Sequence, residues 1–310
     1  MIATVTLNPS LDKTVTVEGL VIDETNRWTS FRRDPGGKGI NVSRVLHELG
    51  HDTIAYGLVG NGIDGVTFQQ LMKQKGVPFD FTPIKGEIRS NFIITNVKTH
   101  RQTRIDAPGP YISEEELKSL MTKITDITPE PDFLVFAGSV PPGVPDDIYR
   151  YLIEDAKIRG IKTVLDSDGE WLEEGIQAKP SVIKPNVYEA EQLLGVKLRD
   201  EEALVKALKE FLNQGIEIAV ISRGKEGLLM SDGNVTLKVI PPSVEVSSTV
   251  GAGDSAIAGL IMKLSQGASL EEAARMAAAA GTATALTPGT ALCIKDDVEQ
   301  ILPKVKVEII

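Results

Sequence analysis

The sequence predicts an α/β fold: a mainly parallel central sheet with crossover helices on both faces, and a small β-sheet lid. Two observations predict it. From about residue 130 onward, short apolar, β-rich runs alternate with stretches of helical spacing, the rhythm of strand–helix–strand units that build parallel sheets. Before that point, short polar-flanked segments of strand character lack intervening helices of their own, which suits a small, mainly antiparallel sheet.

The chain opens Met1-Ile2-Ala3-Thr4-Val5-Thr6-Leu7-Asn8, without a basic leader or a long apolar run. It reads as a first strand, not an export signal, and a cytoplasmic location is expected. Lid strands are predicted at 14–17, 28–33, 91–97 and 103–105, separated by helical stretches at 39–49 and 64–75. The lid is therefore built from two insertions, about 12–34 and 88–107, into a single domain spanning 1–310. Ser113 with Glu116 forms a capping box ahead of the next helix. Strands are then predicted at 133–137, 162–166, 182–183 and 218–222, with helices at 145–159, 186–194 and 201–213. A strand-like stretch at 244–246 precedes a helix reaching to about 264, and the Ala-rich stretch 271–285 is a strong helix former. In that helix 277–280 leave room for close packing of a neighbour, or for a flat base lying against the backbone.

With 33 basic and 43 acidic residues the net charge is −10, which disfavours partners such as nucleic acid or an anionic membrane. Any phosphate must be held locally. Cys293 is the single cysteine, which excludes an internal disulfide and a thiolate zinc cage and reads as packing. His47, His51 and His100 lack metal-ligand spacing and read as structural or solvated.

Four segments carry chemistry. In Ser248-Thr249-Val250-Gly251-Ala252-Gly253-Asp254-Ser255 the glycines sit at a helix N-terminus, where unpaired N–H groups and the dipole hold a phosphate. Asp254 beside such a cradle suits a base that takes a proton from an incoming hydroxyl; an ordinary helix cap is the alternative. In Lys184-Pro185-Asn186-Val187-Tyr188-Glu189, Asn186 and Glu189 project to one face at a helix start. They suit a hydrated Mg²⁺ reached partly through water, or a reciprocal cap, or both. Asp34-Pro35-Gly36-Gly37-Lys38-Gly39-Ile40-Asn41 places three glycines, Lys38 and Asn41 ahead of a helix, fitting hydroxyl recognition, and Asp12 after the first strand accepts hydrogen bonds from a sugar. Arg27, Arg89 and Arg104 fall in or beside lid segments, where a guanidinium grips a substrate phosphate. A competing signal is Gly60-Asn61-Gly62-Ile63-Asp64-Gly65, which matches a dinucleotide-binding pattern. Against that reading, Asp64 would press a negative charge toward the pyrophosphate.

Taken together, these segments resemble one family across nearly the whole chain, the PfkB or ribokinase-like carbohydrate kinases. Residues 36–41 look like its N-terminal signature, Asn186 with Glu189 like its NxxE magnesium motif, and 248–255 like its C-terminal signature. Asn8-Pro9-Ser10-Leu11-Asp12 and Gly138-Ser139-Val140-Pro141-Pro142-Gly143 are similar to the phosphosugar branch, which holds the 1-phosphofructokinases, tagatose-6-phosphate kinases and minor 6-phosphofructokinases. Residues 289–293, Asp296-Asp297 and the pair Arg89 and Arg104 are most similar to the last of these. Ala291 and Thr25 depart from it, standing where that subgroup tends to have arginine and can have lysine.

The resemblance implies a ribokinase-like three-layer sandwich and ATP-dependent phosphorylation of a ketohexose phosphate, fructose 6-phosphate first, with 1-phosphofructokinase or tagatose-6-phosphate kinase activity as alternatives. A non-catalytic nucleotide- or sugar-phosphate-binding regulator is the alternative of another class. It implies Asp254 as base with Gly251, Ala252 and Gly253 as anion hole. Acceptor contacts would come from Asp12, Arg27, Gly37, Lys38, Gly39, Asn41, Arg89, Arg104 and Ser139. ATP contacts would come from Lys184, Asn186, Ser222, Gly224, Gly227, Thr249, Gly253 and Ala280, with Mg²⁺ near Asn186 and Glu189 and K⁺ near Ser248 and Val250. A homodimer through the lid is also implied.

Overall fold

The computed structural model describes residues 1–99 and 101–310; the expectation for His100 lies outside them. In chain order, β1 (Ile2–Thr6) is followed by β2 (Ser10–Val17), β3 (Trp28–Gly36), α1 (Lys38–Glu48), β4 (Thr53–Gly60), α2 (Ile63–Gln74), β5 (Phe79–Ile84), β6 (Arg89–Asn96), β7 (Arg101–Ile105) and α3 (Glu114–Thr125). The second half runs β8 (Phe133–Ala137), α4 (Ile148–Ile158), β9 (Lys162–Asp166), α5 (Gly169–Gln177), β10 (Val182–Ile183), α6 (Val187–Leu194), α7 (Glu201–Asn213) and β11 (Ile218–Ser222). It ends with β12 (Leu228–Ser231), β13 (Thr236–Ile240), α8 (Ala252–Ser265), α9 (Leu270–Ala285), α10 (Lys295–Ile301) and β14 (Lys306–Ile309).

Ten strands form the central sheet in the order β14-β13-β12-β11-β10-β9-β8-β1-β4-β5. From β11 through β5 every neighbouring pair is parallel; β12, β13 and β14 extend the edge antiparallel. Alternate residues of each strand face opposite layers, as the pleat requires. Ala3, Val5, Leu134, Phe136, Leu165 and Ile221 join the core that includes Leu120, Tyr149 and Phe211, from α3, α4 and α7. Ile2, Val135, Val164 and Val220 join the core that includes Val45, Ile257 and Ala277, from α1, α8 and α9. The result is the three-layer sandwich implied by the resemblance.

The second sheet has the order β3-β2-β6-β7. Its outer pairs are antiparallel, but the central pair β2 and β6 is parallel, because the chain leaves β2, builds β3 to β5 and re-enters beside it. The sheet has two unlike faces. Asp12 lies opposite Asp34 and Asn91, all buried; Lys13, one residue on, lies opposite Arg33 and Phe92, and Val15 opposite Phe31. One face is polar, and the other carries Phe31, Phe92 and Ile105, all exposed.

The 244–246 stretch is not a strand. Pro241 and Pro242 supply no N–H donors to a ladder, and the segment instead anchors through Ser247 and Ser248 N–H groups to the Ala285 carbonyl at 2.8 and 3.3 Å. Among the described residues no helix is long and apolar enough to cross a membrane.

Candidate active site

The carboxyl ends of the parallel strands meet on one edge, the place where open α/β sheets put their ligands. Asn8 follows β1, Gly138 and Ser139 follow β8, Asp166 ends β9, Lys184 and Asn186 follow β10, and Ser222 ends β11. Two helix N-termini point into the same edge, that of α1 after the Gly36-Gly37 turn and that of α8 after Gly251.

Gly251 adopts φ +79°, and a Cβ there would lie 2.4 Å from Leu292 Cδ2, so only glycine makes this turn. Ala252 N–H closes the turn on the exposed Thr249 carbonyl at 3.3 Å. The N–H groups of Gly251, Gly253 and Asp254 find no acceptor among the described residues, leaving donors at the positive end of a 14-residue helix. Lys184 Nζ lies 3.3 Å from the point where a Gly253 side chain would begin. Free amides, a dipole and an ammonium converge on one volume, which is what a phosphoryl group requires.

Asp254, at the third position of α8, is buried and accepts a hydrogen bond from Asn41 Nδ2 at 2.8 Å. Burial and the nearby Asp166 carboxylate push its carboxyl up to about 6, against the lowering pull of Lys38, Asn41 and Lys184. A carboxylate so tuned is ionised at neutral pH yet basic enough to accept a proton.

Asp166 organises the cations. Its Oδ1 is 3.6 Å from both Lys38 Nζ and Lys184 Nζ. Burial opposes its charge, but these two ammonium groups outweigh it and hold Asp166 below the usual carboxylate range. Burial likewise opposes the Lys38 charge, and Asp166 and Asp254 outweigh it and raise that ammonium. Sequence reasoning placed Asp166 only as the end of a strand; its position at the carboxyl edge was the available signal.

On the polar face of the small sheet, Asp12 accepts from Ser10 Oγ at 2.8 Å and Asn91 Nδ2 at 3.0 Å. A Cβ on Gly36 would lie 2.3 Å from Asp12 Oδ2, so the glycine lets β3 lie against this carboxylate. Burial raises Asp12, and its hydrogen bonds together with Arg104 and Arg89 pull the other way. Arg89 is fixed by the carbonyls of Asn8 (3.0 Å) and Ala107 (3.2 Å), and Arg104 reaches Asp106 at 3.4 Å. Ser139 Oγ accepts from Asn8 Nδ2 at 3.2 Å. Gly37, Lys38 and Gly39 lie at the start of α1, beside these groups.

Asn186 and Glu189 form the reciprocal cap of α6: Glu189 N–H donates to Asn186 Oδ1 (2.9 Å) and Asn186 N–H to Glu189 Oε2 (2.8 Å). Burial raises Glu189, with the Asn186 N–H and Lys38 opposing. Glu189 Oε1 has no hydrogen-bond partner among the described residues. No group of three or more His, Cys, Asp or Glu side chains among them could hold a metal outright. One free carboxylate oxygen near the cradle fits a magnesium ion that keeps its waters and phosphate ligands, not an all-protein cage. Ser248 Oγ donates to Gly289 O at 2.7 Å and accepts from Val250 N–H at 3.3 Å. Asn186, Ser222, Arg223 and Gly224 line a pocket of about 570 Å³ beside the α6 N-terminus, wide enough for a nucleoside.

Three further expected site residues are placed as follows. Arg27 precedes β3 at the end opposite Gly36, roughly 25–30 Å away along the strand, and is exposed. Gly227 has φ +85° and packs on the Val239 carbonyl of β13. Ala280 has no exposed surface and packs with α8 in the core. The dinucleotide-like 60–65 stretch is also accounted for: Glu87 Oε1 accepts the Gly65 and Ile88 N–H groups, both at 3.0 Å, filling the α2 N-terminus with an internal anion. Asp64 pairs with Lys13 and accepts from Ser90 at 2.7 Å. Cys293 is buried, and burial pushes its thiol up, which suits packing. His51 reaches Ser265 Oγ at 3.3 Å, and His47 lies in the last turn of α1.

Comparison with known proteins gives the chain a family. Residues 5–297 match the pfkB family carbohydrate kinase model. The chain is 35% identical over 307 residues to a Bacillus subtilis 1-phosphofructokinase, covering 99% of each. It is 34% identical over 300 residues to an ATP-dependent 6-phosphofructokinase isozyme 2 of Mycobacterium tuberculosis, covering 96% of this chain and 88% of that one. Phosphofructokinase-2 from Escherichia coli, solved in complex with substrates and products, superposes with a TM-score of 0.94 at 34% identity and 98% coverage of both chains; it has also been solved in complex with potassium. The chain belongs to the pfkB family of carbohydrate kinases and is an ATP-dependent sugar kinase of the phosphofructokinase type.

Proposed function

We propose that the chain transfers the γ-phosphoryl group of ATP to fructose 6-phosphate, giving fructose 1,6-bisphosphate, with Asp254 as catalytic base. The observation that carries this reading is the pairing of a buried carboxylate raised to about 6 with unpaired amides at the head of its own helix. Asp254 takes the proton of the acceptor hydroxyl, while the Gly251 and Gly253 N–H groups stabilise charge on the transferring group. Lys184 and Lys38, spaced by Asp166, add fixed positive charge. Asp12 and Asn41 orient sugar hydroxyls, and Arg89 with Arg104 grips the phosphate the acceptor already carries. Bound near Glu189, Mg²⁺ would neutralise nucleotide phosphate charge. Ser248 and Val250 are the proposed monovalent cation site.

A 1-phosphofructokinase activity is the second reading, favoured by the 35% identity to the Bacillus subtilis enzyme; tagatose 6-phosphate is the third acceptor. An ADP-release assay with fructose 6-phosphate, fructose 1-phosphate, tagatose 6-phosphate and unphosphorylated fructose, run in potassium and in tetramethylammonium buffers, chooses among them. The highest kcat/KM is expected with fructose 6-phosphate and a faster rate in potassium. Preference for fructose 1-phosphate overturns the acceptor assignment, and equal rates in both buffers overturn the cation site.

We further infer that the apolar face of the small sheet closes a homodimer. Phe31, Phe92, Ile105 and Trp28 are 42–65% exposed on or beside this sheet, a concentration unusual for a surface left in water. Sedimentation is expected to give a dimer for the wild type and a monomer for Phe92→Asp; a monomeric wild type overturns the dimer.

A further inference from the structure

Arg44 joins the root of the small sheet to the carboxylate assigned as base. It lies one helical turn after Asn41 in α1 and is 8% exposed. Its Nη1 donates to the Pro35 carbonyl at 2.7 Å and to Asn41 Oδ1 at 3.0 Å. Pro35 belongs to the last turn of strand before α1, and its neighbour Asp34 comes within 4.0 Å of Arg44 Nη2. Asp34 is itself fixed, accepting from Thr290 Oγ1 at 2.7 Å and pairing with Arg32 Nε at 2.7 Å.

A guanidinium has donors and no acceptor. The end of the Asn41 amide that faces Arg44 must therefore be the oxygen, and the end left facing Asp254 must be the NH₂ group, as observed at 2.8 Å. An amide without that anchor turns over readily, and its oxygen would then face a carboxylate. We propose that Arg44 is a positioning residue: it sets the Asn41 amide so that it donates to Asp254, and it ties that orientation to the placement of Asp34 and Pro35 at the root of the small sheet. A shift of β3 is thereby felt at the base without any contact between them.

The inference rests on the reading of Asp254 as base, so its test separates the two. Asp254 is faced by Asp166, Lys38, Asn41 and Lys184; Arg44 by Asp34, Asp12, Arg32 and, through charge alone, Asp254 itself, with Lys75 adding its charge. Arg44→Met and Arg44→Lys are compared with wild type in kcat against pH, using MgATP and whichever phosphosugar is turned over, with thermal unfolding measured alongside. Arg44→Met is expected to lower kcat by about 10²-fold through misplacement of the base. Arg44→Lys, which keeps a charge but not the fork, should lose about tenfold. In both, the acidic limb moves to higher pH, because Asp254 loses a donor to its charged form, while KM for the sugar changes little.

A purely structural role would lower Tm and leave the limb in place, and that result overturns the proposal. If Arg44→Met does not fold, Arg44→Lys gives the same two readings. Asp254→Asn run in parallel isolates the premise. Retained turnover there overturns the base; lost turnover there, with wild-type kcat and limb in the Arg44 variants, overturns the role of Arg44 alone.

Discussion

Asp254→Asn should lower kcat by about 10²–10⁴-fold, the range supplied by a general base, and at the same time stabilise the unliganded protein above pH 7. The two effects have one cause. The fold raises this carboxyl to about 6, so the stability linked to its protonated form is present below the ordinary carboxylate range and is lost as pH rises through 6. At pH 7.5 the native state carries a buried ionised carboxylate at a cost on the order of 1–3 kcal/mol. Asparagine keeps an oxygen for Asn41 Nδ2 without the charge, so Tm should rise by a few degrees. Calorimetry at pH 7.5 and pH 4 checks this: the gain should appear at 7.5 and vanish at 4. A loss of stability at 7.5 would show that Asp254 is a structural cap and not a strained base.

Asp166→Asn is the second large effect, and its sign differs. Asp166 is 3% exposed and stands between two ammonium groups at 3.6 Å. Removing the charge of one partner of a buried pair costs about 3–5 kcal/mol; the lower end applies here because the Lys38 side chain is 31% exposed. Since the fold depresses the Asp166 carboxyl, its contribution is present above the ordinary carboxylate range and is lost as pH falls through the depressed value. The deficit of the variant should therefore be largest near neutrality and fade in acid. The same change removes a negative charge that helps raise Asp254, so the acidic limb of kcat should move to lower pH, opposite to the shift expected for Arg44→Met. Denaturant unfolding and a kcat–pH series separate the two consequences. An unchanged limb would show that Asp166 does not act on the base.

Much of this was legible in the sequence. The apolar runs of β8, β9 and β11 announced the parallel sheet because both their faces are buried; Gly251 to Asp254 taken alone read equally as a phosphate cradle or an ordinary helix cap, and only together with Asn186, Glu189 and residues 36–41 did they point to a cradle. The antiparallel edge β12 to β14 was not assigned: β11, β12 and β13 follow one another without an α-helix between them, so the strand–helix alternation is lost, and Lys238, Lys306 and Glu308 interrupt the apolar runs of β13 and β14. Asp166, Arg44 and Asp34 were missed for a different reason. Their roles come from partners 3 to 256 positions away, such as Asn41 for Arg44, Lys38 for Asp166 and Thr290 for Asp34, and spacing along the chain carries no trace of them. Arg27 and Ala280 show what residue type leaves open: strand direction puts the first at the far end of β3 from Gly36, and helix packing buries the second against α8.

The most direct measurement is kcat of the wild-type enzyme against pH, with saturating MgATP and fructose 6-phosphate. Turnover should be constant above neutrality and fall tenfold per unit below about 6, following ionisation of the buried carboxylate between α1 and α8. A rate that stays level down to pH 5 would contradict Asp254 as the base.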